Sequence, residues 1–343
     1  MNLALRNISP SQAPSVYFSQ AYGEALVLGT GQRWVNLSLK DGSWQMPLVL
    51  SSVGGSLVEA ASPYGYAGVF THPTVSADKS RELWEEAIEV LKAANVVSLF
   101  LRLSPFGGKQ LTFLPDTAMP TVEHISDTIS VETIDAATVW ASMQGRSRTA
   151  VRKAEKSGLV GAIRRVDSRD LETGSDFRRL YESTMERVGA ATHHKYPNSY
   201  YRRLAEGLGD RLLLATVADG LGQIVAAALV MVDDEVVHYH LSGSDPVQAR
   251  NGSNNLLVWK ILEWAAHNDR RSAHLGGGTG PTDSLFRFKL SFGGRVLPFE
   301  VGKFVILPSE YEELVTARAR EIGCGVATLK EAGYFPAYRA GSA

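Results

Sequence analysis

The order of predicted elements occurs twice along this chain, and this repetition constrains the fold more than any single motif does. In residues 44–103 and again in residues 211–276, a hairpin is followed by a strand, a glycine-containing loop, an amphipathic helix and another strand. A helix that connects two strands of one sheet favours parallel pairing between them. We therefore predict two similar α/β (α+β) units with mixed sheets flanked by helices. They span residues 1–135 and 136–343, and the second ends in a helix over 310–321 and a short tail.

Short-range signals place most of the predicted elements. Asp41-Gly42 between two apolar runs is typical of a hairpin turn. Ser80 precedes apolar residues at helical spacing and is the predicted N-cap of a helix, and Gly158 is a predicted helix stop. Apolar periodicity predicts helices over 136–143, 148–157, 177–187, 199–208 and 254–268. Strands are predicted over 96–103, 211–218, 224–232, 236–242 and 273–275.

Length and composition narrow the class of protein. The chain has 343 residues, a net charge of −1 and 44% apolar residues, which is typical of a soluble globular enzyme. Its one cysteine, Cys324, excludes an intramolecular disulfide and a cysteine-rich zinc site. No apolar run reaches the roughly 20 residues of a membrane span, and the N-terminus lacks a signal-peptide pattern. We predict a cytoplasmic protein without a transmembrane segment and without a DNA partner.

Residues 274–294, HLGGGTGPTDSLFRFKLSFGG, combine glycines, aromatic residues and a cation. Gly276, Gly277 and Gly278 permit the backbone to approach a bulky ligand, and Lys289 stands among phenylalanines. This combination suits a site that binds an oxyanion or a phosphate. The alternative is a glycine-rich loop that leads into an edge strand, with the lysine reaching out to water.

The second half of the chain has the element order of a GNAT acyltransferase unit. In such units, the N–H groups of a turn and of the following helix N-terminus face the pyrophosphate of coenzyme A. The corresponding turn here contains Gln248, Arg250, Gly252 and Asn254. Its spacing departs from the usual Gln/Arg-x-x-Gly-x-Gly/Ala pattern, so a polar loop followed by a capped helix is the other interpretation.

Six motifs in a fixed order extend over most of the chain. They are PYGYAG at 63–68, RTAVRKAEKSG at 148–158, YESTMERVG at 181–189, YHLSGS at 239–244, NNLLVWKILEWA at 254–265 and FRFKLSFGG at 286–294. In kind and order they resemble motifs of the FemAB family of aminoacyl-tRNA-dependent peptidyltransferases and its GNAT-like relatives. The resemblance implies two tandem GNAT-like units. Because no long heptad run occurs, the chain resembles the compact members, which lack a helical arm.

The resemblance also implies a transfer site at Phe288 and Lys289. In the family, the lysine of this Phe-Lys pair would steady charge on the ester carbonyl or the terminal adenosine phosphate of the donor, and the phenylalanine would support the adenosine. Aminolysis of an ester passes through an oxyanion, which a fixed cation or donor stabilises by roughly 3–4 kcal/mol. We predict further contacts with the donor from Gly276, Gly277, Gly278, Arg287, Arg148, Arg152 and Lys153.

For the acceptor, the resemblance implies a cleft between the two units. Arg187 matches an arginine that meets an acidic group there, although Ala190-Ala191 replace the tyrosine that is expected shortly after it. Tyr64, Tyr66 and Tyr239 are further candidates for contacts with the acceptor. Packing in the core or at the surface is the alternative role for each tyrosine.

Residues 146–169 contain eight basic and two acidic residues, a local patch that the neutral net charge does not reveal. Such a patch can face the phosphates of a tRNA acceptor stem, and the alternative is an ordinary solvated helix face. Interleaved aromatic residues are lacking, so we expect recognition of the tRNA end and its shape. His193-His194 and His238/His240 have no third ligand at metal spacing, and no metal site is predicted.

These patterns lead to one leading hypothesis and two rivals. The leading hypothesis is an aminoacyltransferase that moves an amino acid from aminoacyl-tRNA to the amine of a peptidoglycan precursor or of a small amino acid or peptide. Aminoacyl-tRNA is then a co-substrate, and no bound cofactor is predicted. The first rival is an acyl-CoA-dependent N-acyltransferase that uses the turn of residues 248–254. The second is a non-catalytic GNAT-like scaffold that binds a peptide or RNA.

Overall fold

The computed structural model of the protein describes residues 3–7, 13–106, 111, 114, 120–189, 195–278, 280 and 283–341. The chain forms two compact units, each densely packed within itself. The first comprises residues 1–125 and 299–343, and the second comprises residues 126–298. Within the part of the chain that the structure describes, every helix is too short or too polar to cross a bilayer.

The first unit begins as a mixed sheet with helices packed against it. Its elements are β1 (Ala4–Arg6), α1 (Gln20–Val27), β2 (Arg33–Ser38), β3 (Trp44–Gly54), β4 (Leu57–Ala61), β5 (Phe70–Thr71), α2 (Ala77–Ala93) and β6 (Val96–Arg102). β1 to β4 pair antiparallel in sequence order, β5 pairs with β3, and β4 pairs in parallel with β6. The α2 crossover therefore produces the predicted parallel pair. Trp44 and Trp84 pack edge to face in the core beneath it.

The second unit repeats this plan with more elements. They are β7 (Thr121–Glu132), α3 (Ala136–Ser142), α4 (Gly145–Lys156), β8 (Val160–Arg165), α5 (Asp176–Arg187), α6 (Asn198–Leu208), β9 (Leu212–Ala218), β10 (Ile224–Val232), β11 (Val236–Ser244), α7 (Pro246–Ala249), α8 (Ser253–His267), β12 (Ser272–Gly277) and α9 (Ser284–Leu290). The strand order is β7-β12-β11-β10-β9-β8, and only β11 and β12 among these described neighbours are parallel. α8 is the crossover between them, and it buries Leu257, Ile261 and Ala265 against the sheet. The predicted fold class, mixed sheets flanked by helices, is confirmed.

The C-terminal elements return to the first unit. They are β13 (Arg295–Val305), α10 (Pro308–Ile322) and α11 (Val326–Glu331). β13 pairs antiparallel with β6, with Val301 opposite Arg102. Tyr311 and Val315 of α10 pack with Val97 of β6 in one apolar cluster. This corrects the predicted division at residues 135 and 136, because burial of these apolar side chains assigns residues 299–343 to the first unit.

Most predicted helices and strands lie within a few residues of the observed ones, and three details differ. The N-cap of α2 is Ser76, which accepts a hydrogen bond from the Lys79 N–H, whereas Ser80 is buried one turn inside the helix. β1, β5, β7, β8, β13, α7 and α11 were not predicted. The FRFKL segment is the helix α9, so the alternative of an edge strand is wrong. Asp283 caps this helix by accepting a hydrogen bond from the Phe286 N–H over 2.7 Å.

Candidate active site

The two parallel strands of the second unit separate at their carboxyl ends. β11 and β12 pair over three positions, of which the last is His238 opposite His274. Both strands continue beyond this pair without pairing to each other, β11 to Ser244 and β12 to Gly277. A β-bulge in β11 explains the separation. Leu229 of β10 pairs with Leu241 and the next residue, Val230, pairs with Tyr239, so His240 is an extra residue in β11. Such a bulge increases the local twist of a strand and bends it. The separation creates an opening at the sheet edge where α/β proteins commonly bind ligands.

Lys289 lies in this opening. It is on α9, its side chain is only 8% exposed, and its Nζ donates a hydrogen bond to the carbonyl oxygen of Gly277 over 2.6 Å. The same Nζ lies 5.9 Å from the ring centre of Tyr239 on β11. A single cation therefore contacts both strands where they part. This placement excludes the alternative in which the lysine extends into water.

Burial sets the electrostatics of the opening. It lowers the pKa of Lys289 to about 8, and the negative charge of Asp283 opposes this effect. Burial also raises the pKa of the half-buried Tyr239. Burial lowers the pKa of His274, and electrostatic interaction with its neighbours lowers it further. At pH 7 the opening therefore contains a charged lysine above a neutral His274.

The three glycines of the predicted donor site have structural roles within the unit. Gly276 has a φ of 70°, a conformation that disfavours other residues. A Cβ on Gly277 would lie 2.8 Å from the carbonyl oxygen of Asp127, and a Cβ on Gly278 would lie 2.3 Å from Oδ1 of Asp283. The sequence HLGGG is thus required for β12 to end beside β7 and beneath the cap of α9. Contact between these glycines and a donor stays a prediction.

A polar chain lies behind the opening, at the paired part of β11. Nε2 of His238 lies 2.8 Å from Asp233, whose other carboxylate oxygen accepts a hydrogen bond from Arg211 over 2.6 Å. The rings of His238 and His274 meet edge to face at 5.9 Å. Among the residues that the structure describes, no three or more His, Cys, Asp or Glu side chains are placed to bind a metal ion. His238 is thus part of a buried hydrogen-bonded chain, and His274 packs against its ring.

The bulge residue His240 contacts an aromatic group on α6. Its Nε2 lies 2.7 Å from the hydroxyl of Tyr200, whose ring stacks on Tyr196 at 4.1 Å. Withdrawal from water lowers the pKa of His240 to about 3, so its ring is neutral at physiological pH. His193 and His194 of the sequence lie outside the described residues.

The other predicted donor residues divide into two groups. Phe288 packs edge to face on Phe292 at 5.3 Å beside Lys289, and Arg287 is exposed on the same helix. Arg148, in contrast, donates through Nη1 to carbonyl oxygens at the end of α3, including that of Ala141 over 3.0 Å. Because these carbonyls have no partners within the helix, Arg148 stabilises the end of α3.

The basic residues of α4 are largely exposed, which fits both a tRNA-binding face and the alternative of a solvated helix face. Arg152 lies over the ring of Trp140 at 5.3 Å, and Lys153 donates to the carbonyl oxygen of Arg250 over 2.8 Å. Further along the predicted patch, Arg164 forms an ion pair with Asp170. The patch thus combines internal contacts with an exposed positive face on α4, and its contact with tRNA stays a prediction.

The predicted acceptor residues do not all lie in one unit. In the second unit, Arg187 is exposed at the end of α5 and its Nη2 lies 3.4 Å from the hydroxyl of Thr184, whereas Tyr239 lines the opening. In the first unit, Tyr64 is 45% exposed. Tyr66 packs edge to face on Phe299 at 5.1 Å. Contact of these residues with an acceptor stays a prediction.

The turn proposed for coenzyme A begins as the short helix α7. Gln248 accepts a hydrogen bond from the side chain of Asn251, and Arg250 accepts one from Lys153 through its carbonyl oxygen. Gly252 precedes α8 with a φ of 87°, and a Cβ there would lie 2.4 Å from the carbonyl oxygen of Ala150. Asn254 is half-buried in the first turn of α8.

Comparison with known proteins agrees with this architecture. Residues 141–289, from α3 to Lys289, match the family described as the acetyltransferase (GNAT) domain. The chain is therefore similar to GNAT acetyltransferases over this segment. The sheet opening and Lys289 both lie within the GNAT domain, whose last matched residue is the lysine itself. A comparison with curated proteins finds no sequence match.

Solved structures extend the likeness beyond the GNAT domain. FemX superposes with a TM-score of 0.66 at 16% identity, over 86% of this chain and 93% of its own. The C-terminal domain of a protein named as a lysylphosphatidylglycerol synthetase, from Agrobacterium fabrum, gives 0.53 at 14% identity over 82% and 87%. L-PGS from Bacillus licheniformis gives 0.55 at 11% identity over 82% and 85%. The predicted FemAB-like and GNAT-like resemblance is therefore confirmed at the level of the fold.

Proposed function

We propose that the protein is an aminoacyltransferase that moves an amino acid from aminoacyl-tRNA to an amine and forms an amide bond. The observation that carries the proposal is Lys289, a buried cation in the opening between β11 and β12 of a GNAT domain. In the sequence it matches the lysine of the FemAB-like Phe-Lys pair. The fold of FemX and of a lysylphosphatidylglycerol synthetase, whose name describes an aminoacyl product, supports the same class of donor.

The reaction requires stabilisation of charge and no nucleophilic side chain. The amine attacks the ester carbonyl, the new C–N bond forms, and the C–O bond to the terminal ribose breaks. The proton that the amine loses goes to the leaving ribose oxygen. Between these events the carbonyl oxygen carries a negative charge, and the ammonium of Lys289 is the donor we assign to it. A preorganised donor of this kind lowers the barrier by roughly 3–4 kcal/mol.

The pKa of Lys289 fits this role. A value of about 8 leaves roughly nine in ten lysines charged at pH 7. Because the cation is poorly hydrated, its interaction with an oxyanion is stronger than it would be in water. Its hydrogen bond to the Gly277 carbonyl fixes its direction before the donor arrives.

The alternative donor, acyl-CoA, has weaker support. The N–H groups of residues 247–252 all donate within the turn, to Asp245 or to carbonyl oxygens three or four residues earlier. A pyrophosphate needs such groups to point outward. The internal hydrogen bonds of the turn therefore weaken the case for coenzyme A at residues 247–252.

The test is incubation of the purified protein with tRNA that carries a labelled amino acid, together with candidate amines. The acceptors to try are a peptidoglycan precursor, small amino acids and short peptides. We expect a labelled amide that does not form after prior treatment of the tRNA with RNase. Product that survives this treatment would contradict the donor assignment. A thermal shift with acetyl-CoA tests the alternative, because a ligand at 100 times its Kd stabilises by about 2.7 kcal/mol.

A further inference from the structure

Arg102 in the first unit is a partly buried cation at the carboxyl end of a parallel strand. It is the last residue of β6, beside Ser62, which follows the parallel strand β4. Its Nη1 donates to the carbonyl oxygen of Ser62 over 2.9 Å, and its own N–H donates to the Ser62 hydroxyl over 2.7 Å. These two hydrogen bonds to Ser62 fix the backbone of Arg102 and one end of its guanidinium group.

Aromatic rings rather than carboxylates surround this guanidinium. Its central carbon lies 5.0 Å from the ring centre of Phe100 and 5.8 Å from that of Tyr64. Tyr22, Tyr64 and Tyr334 also act on it electrostatically, and no Asp or Glu of the described residues does so. Burial lowers the pKa of Arg102 accordingly. A cation in this setting lacks the opposite charge that usually accompanies burial.

The guanidinium also keeps donors available. An arginine has five N–H donors in a planar fork that matches a carboxylate or a phosphate. The Ser62 carbonyl is the acceptor for one of them among the described residues. The remaining donors can thus bind an anion in the bidentate manner that makes such contacts strong.

Both neighbouring tyrosines are exposed, and a fixed loop holds one of them, Tyr64. Tyr64 is 45% exposed and Tyr334 is 58% exposed. The loop conformation depends on Gly65, whose φ is 111° and where a Cβ would lie 2.4 Å from the ring of Tyr17. The hydroxyl of Tyr22 donates to the Tyr64 carbonyl oxygen over 2.8 Å. Exposed aromatic rings near a cation suit a ligand with both an anionic and a flat apolar part.

We propose that the Arg102 cluster, defined as Arg102 with Ser62, Tyr64, Phe100 and Tyr334, binds a small ligand that carries a carboxylate or phosphate group beside a flat apolar part. The cluster lies within the first unit, and the site does not depend on the proposed aminoacyltransferase function.

The first test measures anion binding without any reaction. The full-length protein is titrated with benzoate, phenyl phosphate and the neutral benzamide, and binding is followed by ligand-observed NMR. We expect both anions to bind at least tenfold more tightly than benzamide, and the stronger of the two identifies the acidic group. Arg102→Gln should weaken anion binding at least tenfold, whereas Arg33→Gln, an exposed arginine of the same unit, should not. Equal binding by the wild type and Arg102→Gln overturns the proposal.

The second test separates anion binding from a structural role of Arg102. The melting temperatures of the wild type, Arg102→Gln and Arg33→Gln are measured with and without the more tightly bound anion. We expect the anion to raise the melting temperature of the wild type and of Arg33→Gln and to leave that of Arg102→Gln unchanged. A lowered melting temperature of Arg102→Gln with unchanged anion binding would show a structural role and refute the proposal.

Discussion

The ammonium group of Lys289 donates to the carbonyl oxygen of Gly277 over 2.6 Å. This contact joins a side chain of α9 to the last residue of β12, at the point where β12 no longer pairs with β11. The carbonyl compensates only part of the cost of burying the ammonium, since it carries no full charge. The folded protein therefore retains a cation whose charged form is destabilised, and an anionic reaction intermediate would relieve that cost.

The stability of the protein should depend on pH through Lys289. The pKa is about 8 in the folded state and about 10.4 in an unfolded chain. Between these values the unfolded state binds more protons, so the free energy of unfolding should rise as the pH increases from 8 to 10.5. The gain attributable to Lys289 is on the order of 3 kcal/mol. Urea unfolding of the wild type and of Lys289→Met measures the free energy of unfolding of each. The difference between the two values should change by this amount from pH 8 to pH 10.5, and a constant difference would contradict the assignment.

Removal of the cation should slow transfer without abolishing binding of the donor. We expect Lys289→Ala to lower the single-turnover rate by about 10²–10³, the effect of losing one oxyanion donor. For the wild type, the rate should fall as the pH rises through about 8, because the charged form is lost. Lys289→Arg should remove that fall, since arginine stays charged. A rate that rises through this pH instead would show that neutral lysine acts as a base, and unchanged product formation by Lys289→Ala would favour a scaffold.

Gly278 should be more sensitive to substitution than the nearby Gly280. A Cβ at 278 would lie 2.3 Å from Oδ1 of Asp283, the atom that caps α9, whereas a Cβ at 280 meets nothing within 4 Å. We expect Gly278→Ala to destabilise the protein by about 2 kcal/mol through loss of the cap and to displace Lys289. Gly280→Ala is the matched control. Similar urea midpoints for the two variants would show that the Asp283 cap has little energetic weight.

The sequence predicted the elements whose patterns are local and long. The strand of residues 224–232 and the helix that ends at Leu208 coincide with β10 and α6 at those bounds, because apolar periodicity over 9–11 residues is unambiguous. α9 has only seven residues, too few to show a helical period. Asp283 before Ser284 is an N-cap signal that indicates the start of this helix. The aromatic residues that follow are also typical of a strand, so the signal was not recognised.

Sequence analysis identified only part of the candidate active site. Lys289 was found by its residue type and its motif, but its partner Gly277 depends on where β12 ends in the folded sheet. The bulge at His240 depends on the register between β10 and β11, which no local pattern specifies. Arg102 was missed because it ends an otherwise apolar strand, and its lack of a neighbouring carboxylate is a property of the folded unit.

The exposed basic face of α4 should contribute to tRNA binding through charge. Arg152 and Lys156 lie on the exposed surface of this helix, and each cation near a phosphate releases a counterion on binding. We expect Arg152→Gln/Lys156→Gln to weaken tRNA binding and to lower the slope of log Kd against log salt by roughly 1.4–1.8. The matched control is Lys79→Gln/Arg81→Gln, which removes two exposed charges from α2. If both double variants change the slope equally, the effect comes from net charge alone and α4 is not part of the tRNA surface.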